Sequence, residues 1–204
     1  MTFRVALTFD AEHPDRPTRD GVAESILAAL ERTDVRATFF IQGRWAEAHP
    51  ETARLIPAGG HLVGNHTNFH ARMALFSEAG LASDVRESET TIRDVTTVDP
   101  RPWFRCPFGA GHDDPAIVGA LAGMGYRTIG WDVVPGDWER SSDEVEASVV
   151  RETLAFGDGA VILLHSWPAS TGLALPAIVD RLADAGAAFV RIDELERLPL
   201  ATPG

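Results

Sequence analysis

Two hydrophobic rhythms alternate along the chain. Phe3-Arg4-Val5-Ala6-Leu7-Thr8-Phe9 is a short apolar run that stops at Asp10, and its length and β-branched content predict a strand. Residues 37–42, 61–64, 103–105, 127–131, 160–164 (stopping at His165) and 187–192 read as strands in the same way. Between them the period lengthens to that of a helix. Val22, Ile26, Leu27 and Leu30 share one face behind a cap at Asp20. An Ala- and Glu-rich stretch is broken at Pro50 and closed by Gly59-Gly60, and residues 83–95 form a long amphipathic segment. Asp114-Pro115 opens another helix with proline at its first position. Ser141-Ser142-Asp143-Glu144 reads as a capped start, and residues 176–185 are helical. The tail from Pro199 is expected to be loose.

Strand and helix in strict alternation predict an α/β fold, a parallel sheet with helices outside. Roughly six or seven strand–helix units fit, too few for a full eight-unit barrel of ordinary size. A length of 204 residues suits one domain spanning 1–204, and neither a repeat nor a linker divides it. The composition, 45% hydrophobic and 24% charged, is that of a folded globular chain. With 30 acidic residues against 18 basic ones the net charge is −12, and no basic cluster offers a face to nucleic acid or an anionic membrane. A neutral or cationic substrate, or a metal cation, suits that field. Lysine is absent, which excludes a lysine Schiff base, and Cys106 is the only cysteine, which excludes an internal disulfide. No apolar run is long enough to span a bilayer, and no apolar signal segment opens the sequence, so a cytoplasmic location is expected.

The reactive residues gather at the carboxyl ends of the predicted strands, where parallel α/β folds place their chemistry. Asp10 follows the first strand, His66 and His70 the third, and Arg105 ends the fourth. Asp132 and Asp137 follow the fifth strand and His165 ends the sixth. His66 and His70, four apart, would project to one side of a helical turn and could chelate one transition metal, with a carboxylate as third ligand. Asp10 and Glu12 lie two apart, so an extended segment turns both toward one cleft. One could bind a metal while the other takes a proton from water. Arg105 follows the apolar pair Trp103-Phe104, so a buried guanidinium is expected there, with Asp10 or Asp137 as its partner. His165 has the pKa range of a general acid, and Asp137 and Trp138 are placed to orient it. Trp167, two residues on, is the best candidate among the tryptophans for a substrate contact.

Taken in order, these segments resemble the polysaccharide deacetylase family, the carbohydrate esterases that share a NodB-like domain. Counterparts of its five motifs are Thr8-Phe9-Asp10-Ala11-Glu12, His66-Thr67-Asn68-Phe69-His70, Arg105-Cys106-Pro107-Phe108-Gly109, Val134 with Asp137-Trp138, and Leu163-Leu164-His165. The resemblance implies a distorted (β/α) barrel of about seven units and a divalent metal, usually Zn2+. It also implies removal of an acetyl group from an N-acetylated, sometimes O-acetylated, sugar. On that reading Asp10 is the base and His165 the acid, His66 and His70 are metal ligands, and Arg105 orients Asp10. Asp137 tunes the Arg105 or His165 side, Trp138 and Leu163 wall the pocket for the acetyl methyl, and a backbone N–H near Phe108 is expected to help hold the oxyanion.

One departure stands out. Ala11 occupies the place of the family's usual metal aspartate, and a methyl group cannot bind a cation. Glu12 is expected to replace it, with His13 the next choice. The alternatives are a related amidase acting on a small cyclic or non-sugar amide, and a non-catalytic carbohydrate binder that kept the fold but lost the metal.

Overall fold

The computed structural model describes residues 2–15 and 21–195; the cap expected at Asp20 and the tail beyond Pro199 lie outside that range. The elements run β1 (Phe3–Ala11), α1 (Val22–Arg32), β2 (Thr38–Ile41), α2 (Gly43–Ala48), α3 (Pro50–Ala58), β3 (Leu62–Asn65) and α4 (Glu78–Thr96). They continue with β4 (Trp103–Phe104), α5 (Pro115–Gly123), β5 (Arg127–Thr128), α6 (Ser142–Phe156), β6 (Ala160–His165), α7 (Ala169–Asp184) and β7 (Ala187–Phe189). All the strand pairings are parallel, in the order β5-β4-β3-β2-β1-β6, with β7 beside the first residues of β1.

The expected strand over 127–131 is shorter than its apolar run because the chain changes partners. The Ile129 N–H still donates to Phe104 O on β4, but those of Asp132 and Val133 donate to Val161 O on β6. Val133 pairs in parallel with Ile162, and the Asp132 carboxylate accepts the Val161 N–H at 3.0 Å. This segment joins the two edges of the sheet and curls it into a distorted barrel, leaving no long open edge there. Asp132 thus serves the barrel wall.

Period-two alternation sorts the side chains. Leu7, Phe9 and Ala11 of β1, Phe39 and Ile41 of β2, Val63 of β3 and Ile162 and Leu164 of β6 face outward into the main apolar core, under α1, α6 and α7. The opposite parity faces inward. Ala6, Phe40, Ile129 and Val161, with Leu62 and Trp103 against them, fill the barrel from one end. Space inside is tight: a Cβ on Gly64 would lie 2.7 Å from the Phe40 ring and 3.1 Å from Trp103 Cβ. Thr8 takes its hydroxyl inside by donating to Ile162 O at 2.7 Å.

Helix boundaries follow local chemistry in most places. Ser141 and Glu144 form the reciprocal capping box of α6, and Asp114 accepts the Ala116 N–H at the start of α5. Two helices start earlier than expected: α4 at Glu78 rather than 83, where the Ser77 side chain accepts the Gly80 N–H, and α7, which runs through Pro176 instead of starting there. Thr171, Ala174, Leu175, Ile178, Val179 and Leu182 carry one buried face across the proline. That packing outweighs the cost of about 3 kcal/mol for an interior proline.

Candidate active site

The inner face turns polar toward the carboxyl ends of the strands. Asp10 stands above Thr8 on β1 and is the register partner of His165 on β6. Arg105 follows β4, and its backbone N–H donates to Asn65 O on β3. Glu12, one residue beyond β1, returns to the parity of Asp10, whereas Ala11 is fully buried in the outer core.

Arg105 is completely buried. Its Nη1 donates to Asp10 Oδ1 at 2.8 Å, Nη2 to Gly130 O at 3.0 Å and Nε to Ile129 O at 3.4 Å. The guanidinium lies 4.1 Å from the centre of the Phe40 ring and 5.6 Å from that of Trp131. Of its two expected partners, then, Asp10 is the one it meets. Burial pushes the guanidinium pKa down, against the pull of Asp10.

His66 and His70 do converge, their ring centres 4.9 Å apart, but not on a helical turn. The segment is a tight loop with Thr67 and His70 at positive φ, 67° and 54°. Asn65 Oδ1 accepts the Thr67 N–H, Thr67 Oγ1 accepts the His70 N–H, and the buried Asp84 of α4 accepts the N–H groups of Asn68 and Phe69. Gln42 ties this loop to the first, accepting the His13 N–H and donating to Asn68 O, both at 2.9 Å.

Glu12 is the hub. Its Oε2 lies 3.2 Å from His66 Nε2 and in still closer contact with His70 Nε2, while His66 Nε2 is 3.5 Å from Asp10 Oδ2. Its Oε1 accepts from His13 Nε2 at 2.9 Å and from Trp167 Nε1 at 3.2 Å. Burial alone would raise the Glu12 pKa, but the hydrogen bonds from His13, His66 and His70 hold it far below the usual carboxylate range. Burial opposes a charged His66, yet Asp10 and Glu12 outweigh it and raise its pKa, whereas burial lowers that of His70.

These residues suit a metal ion. One donor atom each from Glu12, His66 and His70 lies within 4.8 Å of the others. His66 Nδ1 sits 2.8 Å from Arg105 O, which can only accept, so Nδ1 keeps its proton and Nε2, facing Glu12 Oε2, is the nitrogen that would bind an ion in exchange for its own proton. Two imidazole nitrogens converging on one buried carboxylate oxygen call for positive charge at that point, as protons on the rings or as an ion among them. Two imidazoles and a carboxylate form a usual donor set for a catalytic divalent ion.

On the other side, His165 Nδ1 is 2.8 Å from Asp137 Oδ1, and its N–H donates to Asp137 Oδ2 at 2.7 Å. Thr171 Oγ1 also donates to Oδ2, at 2.6 Å. Burial disfavours the imidazolium, but the Asp137 charge and hydrogen bond, with Glu12 and Asp10 behind them, raise the His165 pKa to about 9. Asp137 thus serves His165 and has no bond to Arg105 among the described residues. Atoms of Asp10, Glu12 and His165 likewise lie within 4.8 Å of one another.

Trp138, 46% exposed, stands edge-on to His165 with ring centres 5.3 Å apart. Phe108, 54% exposed and at positive φ, lies 4.6 Å from His70, ring centre to ring centre. Leu163 is buried against Trp131. Trp131 was not singled out in the sequence; its position two residues past Ile129, on the inner parity, was the available signal. Gln42 and Asp84 carried no local signal, because their partners come from distant segments. Trp45 is buried and Trp103 packs against the inner core, whereas Trp167 reaches Glu12. Cys106 is buried, and burial pushes its thiol up to about 12, so it is an inert wall.

The polysaccharide deacetylase family model matches residues 2–129, and the chain belongs to that family. It is 30% identical over 194 residues to the peptidoglycan-N-acetylglucosamine deacetylase PgdA of Listeria monocytogenes, covering 94% of this chain and 38% of that one. Another curated relative is also spanned over only about half its length, 52%. The fold matches a family 4 carbohydrate esterase from Streptomyces lividans, solved with acetate, at a TM-score of 0.83 and 30% identity over 98% and 97% of the two chains. It also matches a CE4 family pseudoenzyme from Bacillus anthracis at 0.84 and 28% identity, over 95% and 65%. No helix among the described residues is long and apolar enough to cross a membrane.

Proposed function

We propose that the chain, as a single NodB-like domain over 1–204, is a metal-dependent hydrolase that removes the acetyl group from an N-acetylated amino sugar in a glycan. The observation that carries this reading is the convergence of Glu12, His66 and His70 beside the Asp10–Arg105 pair. Those three residues would hold the ion, with Zn2+ the best match to two imidazoles and one carboxylate. When bound, such an ion supplies Lewis-acid polarisation of a carbonyl and lowers the pKa of water from about 15.7 toward about 7.

The chain's own residues supply the proton chemistry. Arg105 engages Asp10 Oδ1, leaving Oδ2 as the atom that takes the proton from the attacking water. Asp137 holds His165 Nδ1, so Nε2 carries the transferable proton. That proton passes to the amide nitrogen as the C–N bond breaks, and the products are acetate and a free amine. Phe108, Trp138 and Trp167 stand around the site as apolar contacts for the acetyl group and sugar ring, with Leu163 beneath. The Listeria relative PgdA is a peptidoglycan-N-acetylglucosamine deacetylase, which favours a sugar substrate over a small cyclic amide.

The second reading is a non-catalytic binder, favoured by Ala11 in the place of the usual metal aspartate and by the likeness to a pseudoenzyme. Metal content of the purified protein and acetate release from N-acetylglucosamine oligomers separate the two. An active enzyme releases acetate, loses activity to a chelator, and is silenced by Asp10→Asn or His70→Ala. A protein without bound metal or acetate release is the binder.

A further inference from the structure

The two oxygens of Glu12 face different company. Oε2 points at the Nε2 atoms of His66 and His70, whereas Oε1 receives two N–H groups, from His13 at 2.9 Å and Trp167 at 3.2 Å. An indole N–H can only donate, and because the Glu12 carboxylate can only accept, His13 Nε2, 2.9 Å away, is the ring nitrogen that carries the proton. Both donors are themselves held. The His13 backbone, at φ 61°, donates to Gln42 Oε1, and its ring stands edge-on to His70 and Trp167 at 4.7 and 5.7 Å. Trp167 follows β6 and is also near His165, ring centres 6.0 Å apart.

We propose that His13 and Trp167 are positioning residues that clamp Glu12 Oε1, so that Oε2 alone is presented as a metal ligand. The inference rests on the metal-dependent reading above and adds how this chain makes a glutamate do the work. A glutamate has one more rotatable bond than an aspartate and two equivalent oxygens, so without restraint it samples several rotamers and can chelate through both. Two donors on one oxygen remove that freedom. Outer hydrogen bonds of this kind typically change metal affinity 10–100-fold.

The test measures Zn2+ affinity of the purified full chain by competition with a chromophoric chelator, together with the visible spectrum of the Co2+-loaded protein. His13→Ala and Trp167→Phe are each expected to weaken Zn2+ binding roughly 10–100-fold. Both are also expected to alter the Co2+ spectrum, as the freed Oε1 changes the coordination. His13→Gln, which restores an N–H at similar reach, is expected to recover most of the affinity. Trp167→Phe keeps the ring and removes only the donor, so it decides the matter should His13→Ala fail to fold. Wild-type affinity and spectrum in Trp167→Phe overturn the clamp and leave the metal reading standing. A wild-type protein that binds neither ion overturns both.

Discussion

At the scale of single residues, the site separates a base from an acid by giving them opposite partners. Asp10 is matched with a buried cation, Arg105, whose Nη1 lies 2.8 Å from its Oδ1. His165 is matched with a buried anion, Asp137, and its pKa rises to about 9 against the effect of burial. An acid works while it holds its proton, so activity that depends on His165 persists below its pKa and is lost above it. Asp137→Asn keeps much of the shape but removes the charge that raises the pKa. The alkaline limb of the pH profile for acetate release is therefore expected to move down by at least about one pH unit. A limb that stays where it was in Asp137→Asn would remove His165 from the role of acid.

At the scale of elements, the decisive fact is that β1 runs through Ala11 before the chain turns. Alternation sends Asp10 inward, Ala11 into the outer core with Leu7 and Phe9, and Glu12 inward again. Putting the family's aspartate back should therefore not rebuild the site. The double variant Ala11→Asp/Glu12→Ala is expected to bind Zn2+ no better than Glu12→Ala alone. It is also expected to unfold at lower denaturant, by about 1–3 kcal/mol, because a carboxyl group enters an apolar layer. Recovery of tight binding in the double variant would mean that β1 ends earlier than described. This pairing of Asp10 with Glu12 was legible in the sequence, since it needs only a period of two. So were the strand-end clustering and most helix starts, which rest on local caps such as Ser141 with Glu144. The geometry of His66 and His70 was not. Their spacing suggested a helical turn, but Asp84 on α4 accepts two N–H groups of the loop and holds it in another shape. A bond between distant segments leaves no mark in local periodicity. The same holds for α7, where a buried face overrides the proline, and for Trp131, where the strand changes partner.

At the scale of the whole molecule, the barrel separates chemistry from stability. The reactive groups occupy the carboxyl end, and the opposite end carries a buried histidine of its own. His61, at the start of β3, accepts the Ala37 N–H through Nδ1 at 3.1 Å and packs against Phe39. It thereby joins β3 to the start of β2 where no substrate contact is expected. Burial first, then the charges of Arg36 and Arg191, lower its pKa to about 4. The unfolded chain, with an ordinary histidine value near 6.5, binds a proton more readily than the fold does. Its stabilising effect is therefore complete above pH 6.5 and is lost progressively as pH falls toward about 4, to the extent of roughly 2–3 kcal/mol. Protonation also removes the lone pair that Ala37 uses. Urea unfolding at pH 7, 5.5 and 4.5, compared between wild type and His61→Asn, isolates this contribution. Asparagine can still accept from Ala37 but does not titrate, so the variant is expected to lose less stability on acidification than wild type does. Parallel stability curves for the two proteins would show that His61 is not the group through which mild acid loosens the barrel.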